Sequence, residues 1–280
     1  TILAGAVLVA LPVSAETNRA LEAWKTYAAQ SGDANHSKWV EEISKPEALR
    51  LAREWKELRG YDAYDLIDKA ELPAELKPGL KINKANMDKY PWLKDYLPDK
   101  YLENLTSDWG NYGEMTIVPT NTYYMHEGYL KGTRELRDKG IEIQISDKGE
   151  LLYPDGSYAL MSGAAATAIP FLHPKNGLEL NWDYVAHSVN TDTLDFAPIT
   201  MRSCTPGGEL DVEYKAELWW WHYHNRQNVG PMGDIDGKEK YIEGGSIFFK
   251  EPYDIRGLAG VRQRYPEAGK PDDFKVFIPS

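Results

Sequence analysis

The sequence predicts an α+β fold in which helices come first and an antiparallel sheet follows. Three observations carry this. Residues 17 to 58 place apolar side chains at helical spacing. From Ile141 onwards the apolar residues alternate instead, and turn signals recur at short intervals. The stretch Leu210 to His224, LDVEYKAELWWWHYH, sets Val212, Tyr214, Ala216 and Leu218 on one parity and Asp211, Glu213, Lys215 and Glu217 on the other. That is a strand with one dry face and one wet face.

Taken in order, Ile2 to Val13 is apolar, and Val13 and Ala15 stand at the spacing of a secretory cleavage site. The run is too short to cross a bilayer, and no later segment is apolar enough to do so. A partial signal peptide is therefore expected over 1–15, with a mature, exported chain that starts near Glu16. Residues 16–60 form an N-terminal helical segment. Leu21, Trp24 and Ala28 share one stripe, and Ser31-Gly32-Asp33 breaks the helix. Ser44 and Glu47 stand at capping-box spacing around Pro46, and Gly60 supplies a stop.

Residues 61–140 are punctuated by Pro73, Pro78, Pro91 and Pro98, which predicts a strap of short pieces. A short strand over Met115 to Val118 and a helix over Tyr123 to Lys139, stopped by Gly140, complete it. Residues 141–280 hold the sheet. Strands are expected at Asn181–Val189, Thr193–Ser203, Leu210–His224, Lys240–Lys250, Gly257–Tyr265 and Phe274–Ile278. No helix-length pattern separates them, so neighbours should run antiparallel. The last strand has no following partner and no Met opens the chain, so both ends read as clipped.

The net charge is −11. This excludes a nucleic-acid partner, because phosphate backbones require a dense Lys/Arg face. Eighteen Tyr and nine Trp against six Phe favour surfaces that are dry at one end and wet at the other. Cys204 is the only cysteine and reads as a small apolar side chain in a strand.

Continued without a bulge, the dry parity of the central strand runs on through Trp220, His222 and His224, while Trp219, Trp221 and Tyr223 take the other face. A bulge within the tryptophans would exchange the faces. His222 and His224 on one strand lie about 7 Å apart, the spacing of a metal pair. Such sites also need a carboxylate four or five residues on, where this chain has Asn228 and Val229. His126, His173 and His187 cannot be brought in by spacing. The pair is therefore read as a polar strand end at a cavity mouth, and no metal or cofactor is expected. Ser162 and Ser246 lack the Gly-x-Ser-x-Gly elbow of a hydrolase. Asp234/Asp236 and Asp272-Asp273 suit turns, as does Asn176-Gly177, which would aim Trp182 into the sheet.

Four blocks, Lys77–Tyr90 (KPGLKINKANMDKY), Ile117–Tyr124 (IVPTNTYY), Ile169–Tyr184 (IPFLHPKNGLELNWDY) and Asp254–Ser280, resemble the exported bacterial proteins of domain-of-unknown-function family 1329. The resemblance runs from about Lys77 to the end. It implies a fold similar to periplasmic lipoprotein carriers of the LolA/LolB type: a strongly curved antiparallel sheet, a half-barrel, covered by the N-terminal helices and the strap. It also implies a periplasmic location in a Gram-negative bacterium and a membrane exporter or outer-membrane protein as partner. No catalytic residues come with it. The chain is thus expected to be a non-enzymatic carrier for a lipid or other hydrophobic molecule. Tyr214, Leu218, Trp220, His222, His224, Trp182 and Phe248, with Val261 near them, would hold the ligand. The alternatives are an exported structural or assembly protein and a metal-dependent enzyme using His222 and His224.

Overall fold

The computed structural model describes residues 18–106, 113–121, 124–189 and 192–279, with the backbone alone at 187–189. The export segment expected at 1–15 lies outside the described residues, as does the side chain of His187. The chain divides into two compact units, residues 1–50 with 62–122, and residues 51–61 with 123–280.

In the first unit, α1 (Arg19–Ser31) is capped by the Asn18 side chain and ended by Gly32 in the left-handed region. Asp33 then caps α2 (Ala34–Ile43), a helix that the apolar spacing did not announce. Trp24 packs edge-on against Tyr27 and Trp39 and donates its indole N–H to the Thr120 carbonyl at 3.2 Å. Ser44 does not cap the next helix. It closes α2, and its hydroxyl donates back to the Glu41 carbonyl. Pro46 instead opens α3 (Pro46–Arg59), whose second half belongs to the other unit. After α4 (Ala63–Ile67), β1 (Lys81–Asn83), α5 (Leu93–Tyr96) and α6 (Asp99–Thr106), β2 (Glu114–Thr116) pairs back on β1. The Pro-punctuated stretch has a core of its own, built on Ile82, Leu93, Leu102 and Leu105.

In the second unit, α7 (Glu127–Asp138) ends as expected at Gly140, where Ile141 N–H reaches the Leu136 carbonyl. The alternating isoleucines give only the short pair β3 (Gln144–Ile145) and β4 (Leu151–Leu152). The small residues 164–168 let α7 come close: a Cβ at Gly132 would lie 2.3 Å from the Thr167 carbonyl oxygen. Residues 181–189 are not a strand. They belong to α8 (Gly177–Val189), because Asn176 accepts the N–H groups of Leu178 and Glu179 while Glu179 reaches back to Lys175 N–H.

The main sheet is an antiparallel meander in sequence order: β5 (Thr193–Cys204), β6 (Leu210–His222), β7 (Glu243–Glu251), β8 (Ala259–Arg264) and β9 (Asp273–Phe277). The strongly curved half-barrel expected from the resemblance is not found. No sheet is strongly curled or closed, and β5 and β9 remain separate edges. The sheet has three register shifts around β6: β5 has an extra residue between Phe196 and Ile199, β7 has one beside Ala216, and β6 has one at Asp211, before Val212. Within the tryptophan run β6 itself is unbulged. Its even parity therefore keeps one face from Val212 to His222.

Candidate functional site

Cross-strand partners share a face, so the register settles which side chains lie together. On the even face of β6, Met201 pairs with Tyr214, Phe196 with Leu218 and Leu194 with Trp220. Across β7 the same face receives Phe249 beside Ala216, Ile247 beside Leu218 and Glu243 beside His222. It continues through Gly260 and Arg262 on β8 to Val276 and Phe274 on β9. This face is apolar along most of its length and largely uncovered: Phe196 is 49% exposed, Phe274 61% and Val276 54%. A shallow hollow of about 340 Å³ lies on it, lined by Met201, Ser203, Tyr214, Phe249 and Ile255, with Arg202 at its rim. Tyr214 and Phe249 meet edge-to-face there, 6.4 Å apart.

Of the predicted ligand residues, Tyr214, Leu218, Trp220 and His222 thus fall on one face. Phe248 does not. It pairs with Glu217, and Val261 pairs with Ser246, which puts both on the opposite face with Trp219 and Trp221. The expectation counted Phe248 on the wrong parity; Ile247 and Phe249 take its place. Trp219 and Trp221 stack with their planes 13° apart. Trp182 sits on α8, packed against the small-residue core around Leu160 and Ala165, and donates its indole N–H to the Gly149 carbonyl.

Trp220 is held from three sides. Its indole N–H donates to Glu243 Oε2 at 3.0 Å, the Arg262 guanidinium lies 4.3 Å over its ring, and Gly245 leaves room for it. Glu243 is 2% exposed, accepts a hydrogen bond from Arg262 at 3.0 Å and forms an ion pair with Arg264 at 3.3 Å. Both arginines also reach Asp272. Burial pushes the Glu243 carboxyl above its ordinary range, with the Trp220 hydrogen bond and the arginines opposing.

His222 and His224 do come together, 6.2 Å between ring centres. Both are buried, at the head of a polar knot that ties β5, β6 and the turn after β6. Asp192 Oδ2 accepts the backbone N–H groups of Gln227, Asn228 and Val229. Arg226, 2% exposed, donates to the carbonyls of Asp192, His222, Val229, Gly230 and Pro231 and to Thr193 Oγ1. Asn225 holds a positive φ of 47° and donates to the Gly163 carbonyl and Thr167 Oγ1. His126 caps α7 through Nδ1, and burial lowers its affinity for a proton. Among the described residues, no group of three His, Cys, Asp or Glu is arranged to hold a metal ion. Cys204 is exposed at the end of β5.

Sequence reasoning missed Asp192, Arg226 and Glu243. A usable signal was present in each case: an acid just before a strand, a buried-strand acid between Ile242 and Gly244, and an arginine in the polar turn NRQNVGP.

No curated protein and no solved structure matches the chain. Over residues 81–280 it matches the family described as "Protein of unknown function (DUF1329)", and the chain belongs to that family.

Proposed function

We propose that this chain is an exported, periplasmic binding protein that carries a lipid or other hydrophobic molecule, working with a membrane exporter or outer-membrane protein. The guest lies along the even face of β6, with its apolar part in the hollow between Met201, Tyr214, Phe249 and Ile255 and along Leu218. No bond is made or broken. Each buried methylene contributes about 0.8 kcal/mol, so a chain of about ten carbons suffices for tight binding. The observation that carries this reading is the open apolar face itself, since a single chain in water rarely leaves so many large apolar groups of one sheet face exposed. His222 and His224 take no part in it, being buried, and neither does Trp182, which is packed on α8.

Lipid mass spectrometry on protein purified without detergent, together with titration by a fluorescent acyl probe, tests it. Co-purifying lipid and a saturable probe site weakened by Phe249→Asp support the reading; absence of both rejects it. A second reading, an assembly subunit, is favoured by the edge strand β9, which exposes Phe274, Val276 and Phe277. Concentration-dependent self-association without probe binding would select it.

A further inference from the structure

His222 is wholly buried, and neither of its ring nitrogens has a hydrogen-bond partner. His224 is placed almost as severely. Its Nε2 meets the Tyr241 carbonyl at 2.8 Å, and its Nδ1 is buried without a partner, 3.8 Å from Asp234 Oδ1. A carbonyl only accepts, so Nε2 of His224 carries a proton. The two imidazoles stand edge to face at 81°. Neutral rings suit such a place and a charged ring does not.

The charged groups around the pair offer little relief. Arg226, from the turn after β6, brings a positive charge into the same knot and donates to the His222 carbonyl. Asp192, before β5, has Oδ2 committed to three backbone N–H groups. Glu243, opposite His222 on β7, is engaged by Trp220, Arg262 and Arg264, and Asp272 by the same arginines. Asp234 and Glu239, from the following loop, face His224 and accept Asn225 N–H and Gly237 N–H respectively. His126 and Tyr129 of α7 lie on the Asp192 side, and His126 is itself a cation when protonated. A proton taken up by His222 therefore joins Arg226 in a dry, committed network.

We propose that His222 is an acid-sensitive latch: a proton on its ring displaces the end of β6 and the turn 225–231 from their packed positions, while the β7–β8 ladder stays formed. Burial, and next the neighbouring His224, holds the protonation of His222 down to about 3, with Asp192 pulling the other way. An imidazole released into water takes its proton near 6.5. The packed form thus binds fewer protons than the open one. Its advantage is complete above about pH 6.5 and shrinks as pH falls towards the packed-state value, by about tenfold in the opening equilibrium per pH unit.

Hydrogen exchange on the intact chain, corrected for the intrinsic pH dependence of exchange, reads this directly. The N–H groups of Gln227 and Val229 should open about tenfold more per unit between pH 6 and 5, while Ile247 N–H, opposite Gly260 in the β7–β8 ladder, keeps its protection. His222→Gln should abolish that slope, and His126→Gln should leave it. A slope that persists in His222→Gln overturns the proposal. Should that variant not fold, ring-carbon NMR shifts of wild-type His222 decide. A ring that stays neutral until those amides open supports the latch, and a ring that titrates near 6.5 with Gln227 and Val229 still protected refutes it.

Discussion

Asp192 Oδ2 accepts the backbone N–H of Val229 at 2.9 Å, so a carboxylate at the mouth of β5 steers the chain as it leaves β6. The same oxygen takes the N–H groups of Gln227 and Asn228. Replacing the carboxylate with a methyl leaves three backbone donors without this acceptor and takes a negative charge away from the buried Arg226, whose bond to the Asp192 carbonyl is kept. Asp192→Ala should cost about 3–5 kcal/mol in urea unfolding. A loss under about 1 kcal/mol would show that the knot does not hold β5 to the turn.

Glu243 balances Arg262 and Arg264 and fixes the Trp220 indole. Glu243→Ala should destabilise by about 1–3 kcal/mol, because it removes the buried acceptor of the Trp220 indole and one of the two carboxylates that balance the arginines, leaving them Asp272 alone. It should also change tryptophan fluorescence. Glu243→Gln keeps an acceptor for the indole and should cost less. Equal losses for the two variants would place the effect in packing alone.

Gly132 lies where α7 meets residues 164–167, and an added Cβ would fall 2.3 Å from the Thr167 carbonyl oxygen and 2.8 Å from that of Ala164. Alanine is the better helix former by about 1 kcal/mol. The clash is with backbone, which yields little, so Gly132→Ala should still lose about 1–3 kcal/mol by thermal or urea denaturation. A gain in stability would mean that α7 stands off from this segment.

Asp183 on α8 accepts Phe171 N–H at 2.9 Å, and burial pushes its carboxyl up to about 7, against that hydrogen bond and Arg59. A carboxyl raised on folding binds its proton more tightly in the folded chain, so its stability contribution is full below about pH 4 and is lost as pH rises through 7. Asp183→Asn should flatten this part of the stability profile, measured by denaturant unfolding between pH 4 and 8. An unchanged slope would assign it to another group.

How much of this was legible can be traced residue by residue. The central strand, its parity and the meander after it follow from alternation and turn residues, which act locally. Residues 181–189 mislead because Trp182 and Tyr184 alternate with Asn181 and Asp183, while Trp182 and Ala186 are also one helical turn apart; the deciding cap, Asn176 with Glu179, lies upstream. Phe248 could not be assigned to a face from the sequence, because its parity relative to Tyr214 depends on the turn and on the extra residue in β7. The knot around His222 joins Asp192, Arg226 and Thr167 across long separations, and no local pattern encodes such a meeting. The half-barrel came from resemblance rather than from residues, and the open sheet corrects it.

The central claim is that the even face of β6 receives an apolar guest. Paramagnetic broadening by a spin-labelled fatty acid tests it most directly, with methyl signals of Met201, Leu218, Ile247 and Ile255 as reporters. The account predicts saturable broadening at these methyls and none at Val261, on the opposite face. Broadening centred on Val261, or none at any of the five at saturating probe, would contradict it.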